Sequence, residues 1–483
     1  MSGESIKEKC RLASYDAIVI GSGPNGVAAA IVLAAEGLSV LIVEAKQTAG
    51  GGCRSMELTL PGFVHDVCSA IHPLGIGSPF FRTLPLDKYG LRWIHPQAPI
   101  AHPFADGHAL LVERSVEATA SRLGADERAY LKLVGELLPD WDELCRLLLS
   151  PLKLMAYPLQ AMKFGLRAVQ PAGMLAHNYF STPGARGLFA GIAAHSGLRL
   201  EDPASASFGL VLALSAHAVG WPMPAGGSQK LSDALLAHFT ALGGEIILGC
   251  RVTSLDELPK SRLILCDVTP RQLLAMGKHL LPEGYKRKME RFRHGVACFK
   301  LDYALAGPVP WKSPLVERAA TIHIGGTLEE IAKSERQAWS GEPPEKPYVL
   351  AVQTTLFDPT RAPPGKHTLW AYCHLPNACQ FDMSERIEAQ IESVAPGFRK
   401  LILARHALSP SALEDYNANY VGGDISGGAV TLGQLFTRPV VKPIPYATPV
   451  PGLYLCSAST PPGSGVHGMS GYYAAHCALR NWR

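Results

Sequence analysis

The sequence predicts an α/β fold with a Rossmann-like core, and three observations carry that expectation. The stretch GSGPNG, Gly21 to Gly26, lies between an apolar strand pattern, Asp16-AIVI, and an apolar helical pattern from Asn25 to Glu36; a further strand pattern, SVLIVE, ends at Glu44. A second stretch of the same form, GSGVHG from Gly463 to Gly468, stands between the strand pattern Gly452-LYLCSAST and the helical pattern MSGYYAAHCAL. The chain has 483 residues, 47% hydrophobic and only 18% charged, which allows two or three domains with large buried cores.

The first motif has the full context of a dinucleotide site. Gly21 allows the tight turn, Gly23 lets backbone approach a pyrophosphate, and Gly26 lets the helix lie close to the sheet. The helix amino terminus offers N–H groups and positive potential to phosphates. Glu44 is placed to accept from ribose hydroxyls and to repel a 2′-phosphate, which disfavours NADP. The second motif is followed by too little chain for another strand with a ribose-binding acid. It therefore points to the same ligand as the first, not to a second nucleotide domain.

After Glu44 comes AKQTAGGGCRSMELTLPGFVHD, and further on HDVCSAIHPL, WPMPAGGSQKLSDAL and GGDISGGAVTLGQLFTRP. These motifs resemble the phytoene desaturase-like branch of the flavin-containing amine oxidase superfamily. The resemblance implies a GR2-type FAD-binding domain in three segments (1–100, 216–290 and 416–483) with a mixed-sheet and helical substrate domain inserted in two (101–215 and 291–415). It implies FAD contacts at Gly21, Ser22, Gly23, Pro24, Asn25, Gly26, Glu44, Ala45, Gly51, Gly52, Cys53, Arg54, Val252, Ser459, Gly465, Val466 and His467. Gly51 and Gly52 would lie against the diphosphate, Val252 against the adenine, and the carboxyl-terminal loop over the isoalloxazine, with the following helix aimed at its pyrimidine end. Cys53 separates the glycine pair from Arg54, where the superfamily often has the arginine directly.

The resemblance implies an FAD-dependent oxidoreductase that transfers hydride from an apolar, lipid-like or polyene molecule to flavin N5, with oxygen or a quinone as acceptor. Two other readings of the same fold stay open: a redox-neutral flavin isomerase, and a lipid-binding chaperone like the Rab GDP dissociation inhibitors. Hydride transfer needs mainly an oriented C–H bond, so an acid–base signature is not required. Candidates for polar groups at the ring are His467, Tyr472 and His72, with Asp66 beside them.

From Leu144 to Leu200 no acidic residue occurs, while Arg146, Lys153, Lys163, Arg167, Arg186 and Arg199 are basic. Apolar pieces cut by Pro151 and Pro158 fit either peripheral attachment to an anionic membrane or a helical cap on the substrate cavity; the closely spaced prolines favour the cap. Two uncharged stretches, Ile18 to Ala35 and Ala204 to Gln229, are broken by glycine or proline and do not read as membrane spans. A net charge of +4 does not argue for nucleic acid. Eleven cysteines at scattered spacings, without C-x-x-C, read as reduced thiols in a cytoplasmic protein, with an organelle address left open. The amino-terminal stretch lacks the apolar core of a secretory signal. Disulfide reductase chemistry is disfavoured because the nearest cysteine pair, Cys373 and Cys379, is far from any glycine motif. A covalent flavin link through Cys456 is disfavoured too. No H-E-x-x-H and no histidine cluster predicts a metal. A homodimer stays open.

Overall fold

The computed structural model describes residues 14–151 and 156–482. The amino-terminal stretch read for a secretory signal, and Lys153 of the basic insert, lie outside the described residues. Two sheets organise the molecule. The first is five-stranded and parallel, in the order Leu453–Leu455, Ser261–Cys266, Tyr15–Ile20, Val40–Val43, Glu245–Ile247. Its central strands are buried on both faces, as the continuous run AIVI requires. Its strands come from three separate stretches of chain.

The helix Pro24–Ala35 leaves the first strand through the glycine turn, with Pro24 at its first position. Its residues are apolar on every side because two helices cover it: Gln229–Ala241, and the carboxyl-terminal Met469–Arg480. The second crossing is unusually close. A Cβ on Gly471 would stand 1.8 Å from the Asn25 carbonyl oxygen, so only glycine fits. The two glycine motifs of the sequence are thereby clamped together.

The second sheet is seven-stranded and mixed, ordered Ile402–Leu408, Ala297–Leu305, His367–Leu375, Val349–Val352, Ala319–Ile324, Ala98–Pro103, Ala109–Val112. Side chains alternate across it. One face carries Phe299, Leu301, Tyr303, Ala371 and Cys373 into a core closed by the helix Ser384–Val394. The other carries Cys298, Lys300, Leu350, Val352, Trp370 and Tyr372 towards the parallel sheet's glycine loops. Helices Pro158–Ala168, Ala172–Tyr179, Pro183–Ala194 and Ser205–Ala218 pack together above this second face. Among the described residues no helix is long and apolar enough to cross a membrane.

Candidate active site

A cavity of about 470 Å³ runs from the glycine turn to the mixed sheet. Gly21, Ser22, Gly23, Pro24, Asn25, Glu44, Ala45, Gly51, Gly52, Cys53, Arg54, Val252, Ser459, Gly465 and Val466 all line it, and so does His72. Residues far apart in sequence are thus brought to one wall. Glu44 is buried at the end of its strand. Its Oε2 accepts from the Ser22 N–H at 2.9 Å and the Ser22 hydroxyl at 2.6 Å, while Oε1 accepts from the Lys46 N–H at 2.9 Å and from Arg54 Nη2 at 3.2 Å. Arg54 also donates through Nε to the Thr48 carbonyl at 2.9 Å and lies over the Tyr416 ring. It anchors the acid that faces the ligand.

Four expectations need correction. Gly26 does not reach the cavity: it packs against the Gly21 carbonyl, holding helix to turn. His467 is fully buried off the cavity wall; its Nδ1 accepts the Met469 N–H at 3.0 Å and its carbonyl accepts from Ser78 Oγ, so it caps the helix start instead of facing a ring. Tyr472 packs against Phe80, Tyr473 and His476 on the helix's other side. The first turn of that helix, Met469 and Ser470, is also off the wall, so the chain meets the cavity through Gly465 and Val466. Two other sequence candidates belong to one buried network, His72 on the wall and Asp66 behind it. His72 Nε2 donates to Ser228 Oγ at 2.8 Å, since that hydroxyl spends its own proton on the Ser69 carbonyl. Asp66 is held as a carboxylate by Arg361 at 3.0 Å and by the Ser55 hydroxyl and Ser228 N–H, against the opposing effect of its burial.

The wall fits an extended dinucleotide. Gly51 packs directly on the turn: a Cβ there would come within 2.9 Å of Gly23 Cα, so glycine lets the two backbone edges of the wall meet, and its φ of +55° suits glycine. Asn25 Oδ1 is buried without a protein partner beside the same turn. One residue was not anticipated. Asp267 lines the cavity at the glycine turn, where its Oδ2 accepts the Gly26 N–H at 3.0 Å. Burial pushes its carboxyl up to about 7; the Gly26 bond resists this and the neighbouring Glu44 charge adds to it.

At the far end the cavity meets the mixed sheet. Strand register sets two rows of side chains: Asp302, Trp370, Val352 and Thr321, then Lys300, Tyr372, Leu350 and His323. Leu212, Trp221 and His195 face them from the helical side. His195 Nε2 lies 2.9 Å from His323 Nε2, so one ring donates and the other accepts. Burial, and the nearby charge of His374, push His195 down to about 3 and keep it neutral. His374 itself is held charged, against its burial, by Glu335 at 2.9 Å. His195 Nδ1 has no protein partner among the described residues. Lys300 is bonded to Asp302 and lies over the Trp370 ring, 5.3 Å from its centroid. Burial lowers the lysine and raises the aspartate to about 6, moving both towards their neutral forms. Sequence reading missed this end, although the alternation Phe299-Lys300-Leu301-Asp302-Tyr303 showed two charges on one face of an apolar strand.

The ten described cysteines are all free. Cys373 belongs to the core on the sheet's far face, away from the cavity. Cys456 is buried off the cavity wall, and burial pushes its thiol well above the usual range. Among the described residues no group of three or more potential metal ligands forms a site.

The sequence profile described as "Flavin containing amine oxidoreductase" matches residues 26–479. The chain is 26% identical to "Pyridine nucleotide-disulfide oxidoreductase domain-containing protein 2" of Mus musculus, over 97% of this chain and 94% of the relative. It is 24% identical to "Phytoene desaturase (lycopene-forming)" of Pseudescherichia vulneris, over 94% and 96%. Among solved structures it is similar to an oxidoreductase from Methanosarcina mazei, with a TM-score of 0.67 at 15% identity over 97% of this chain and 100% of that one.

Proposed function

Because the chain belongs to the flavin-containing amine oxidoreductase family and is an FAD-dependent oxidoreductase, we propose that it oxidises an apolar small molecule held against the mixed sheet. The observation that supports this reading is the single cavity that joins Glu44 and the glycine turn to a chamber walled by Leu212, Trp221, Leu350, Val352, Trp370 and Tyr372. FAD, when bound, supplies the hydride acceptor. The chain's own residues do the rest. Glu44 holds the ribose, the glycine edges admit the diphosphate, and the apolar walls orient a C–H bond and exclude water. His195, neutral and backed by His323, is the polar group that the helical side offers to the substrate, and its burial disfavours taking up a proton. Electrons then pass to oxygen or a quinone.

Peripheral contact with a membrane belongs to the same proposal. Leu159, Met162 and Leu166 are 54–67% exposed on the helix Pro158–Ala168, which packs on Ser205–Ala218, the helix that brings Leu212 to the chamber. The basic residues around them are paired: Lys163 with Asp140, Arg167 with Glu136, and Arg199 with Asp202. Attachment would therefore rest on apolar contact more than on charge. The test is anaerobic mixing of the yellow holoprotein with fractionated lipid extracts. Bleaching that oxygen or a quinone reverses supports the reading; consumption of a lipid without bleaching would indicate isomerisation, and no change with any apolar fraction would overturn the proposal.

A further inference from the structure

The chamber is asymmetric in charge, and the asymmetry names a substrate class. Acidic residues line the cavity at Glu44, Asp267 and Asp415, all beside the glycine turn or the segments that close over it. On the chamber side, among the described residues, no carboxylate lines the wall. Asp302 and Glu335, the acids nearest to it, are both fully buried and already bonded, to Lys300 and to His374. What faces the chamber is the cationic end of the first pair, Lys300, and beside it Tyr372, its partner in the strand register. The Tyr372 hydroxyl has no protein partner among the described residues, and burial pushes it well above its usual range, so it stays a donor.

An ammonium group would meet Lys300 and find no carboxylate. A carboxylate would be a second anion on a lysine whose charge Asp302 already balances, and an unbalanced buried charge is costly. An uncharged oxygen acceptor meets neither obstacle and satisfies both donors. We propose that the substrate of this enzyme carries an uncharged carbonyl-type oxygen on its apolar body, held by Lys300 and Tyr372. This rests on the oxidoreductase reading and narrows its substrate.

The test uses purified holoprotein and four probes of matched length: 2-nonanone, nonylamine, nonanoate and nonane. Binding is followed by the flavin absorbance difference spectrum and by quenching of tryptophan fluorescence, since Trp221 and Trp370 line the chamber. The ketone is expected to bind at least tenfold more tightly than each of the other three, and Tyr372→Phe to remove much of that preference while leaving nonane unchanged. Lys300→Met paired with Asp302→Leu, which leaves no lone buried charge, is expected to weaken the ketone at least tenfold. Tightest binding by the amine or the carboxylate, or a ketone no tighter than nonane, overturns the proposal. The parent reading is judged separately, by FAD released on denaturation and by bleaching.

Discussion

Asp267 gives the cavity a pH dependence. An acid whose pKa is raised in the folded protein stabilises the fold fully below its ordinary value of about 3.9. That contribution is lost as pH rises through the folded value of about 7. A diphosphate at the same turn adds negative charge, so the protonated acid favours FAD. The dissociation constant for FAD is expected to rise by up to about tenfold per pH unit above pH 7, and Asp267→Asn should bind tightly and flatly from pH 6 to 9 in fluorescence titrations. A flat profile in the unmodified protein would contradict the argument. His195→Gln is expected to raise KM by about three- to tenfold on any substrate that bleaches the flavin, with kcat little changed, as steady-state kinetics would show. Gly191 adjoins this pair. A Cβ there would stand 3.1 Å from Nδ1 of both His323 and His102, so Gly191→Ala should move the dyad and reproduce part of the rise in KM.

Among elements, the strand–turn–helix–strand unit from Tyr15 to Glu44 could be read from sequence because its pairing is local and its glycines sit where turn geometry demands them. The chamber face could not. Lys300 meets Tyr372, which meets Leu350 and then His323, and each pairing joins strands whose register nothing local specifies. His467 misled for a related reason. Its place in the loop was right, but whether a ring turns inward or takes the Met469 N–H is decided by the helix that follows. The crossing at Gly471 is the element-scale test of the clamp: Gly471→Ala is expected to cost about 1–3 kcal/mol or more, seen as an earlier thermal transition with earlier release of FAD. For the exposed helix, Met162→Glu with Leu166→Glu should abolish co-sedimentation with neutral phosphatidylcholine vesicles. Binding lost in high salt instead would assign attachment to charge.

At the scale of the molecule, the parallel sheet is made from three stretches of chain separated by the two that make most of the mixed sheet. The sequence motifs marked the three stretches, since each carries glycine-rich turns. The boundaries were coarser, because Ala98–Pro103 already belongs to the mixed sheet and pairs with Ala319–Ile324 across more than two hundred residues. A chain cut before Gly452 loses an edge strand and the helix that covers Pro24–Ala35, so it is expected to retain no FAD after gel filtration.

The interlock of Gly471 with Asn25 also sets an order of events in the cell. A nascent polypeptide emerging from the ribosome offers the Gly21 turn long before the Gly465 loop that closes on the flavin follows it. Cofactor capture therefore waits for that loop, and until it arrives the greasy side of the first helix that Met469–Arg480 covers stays bare.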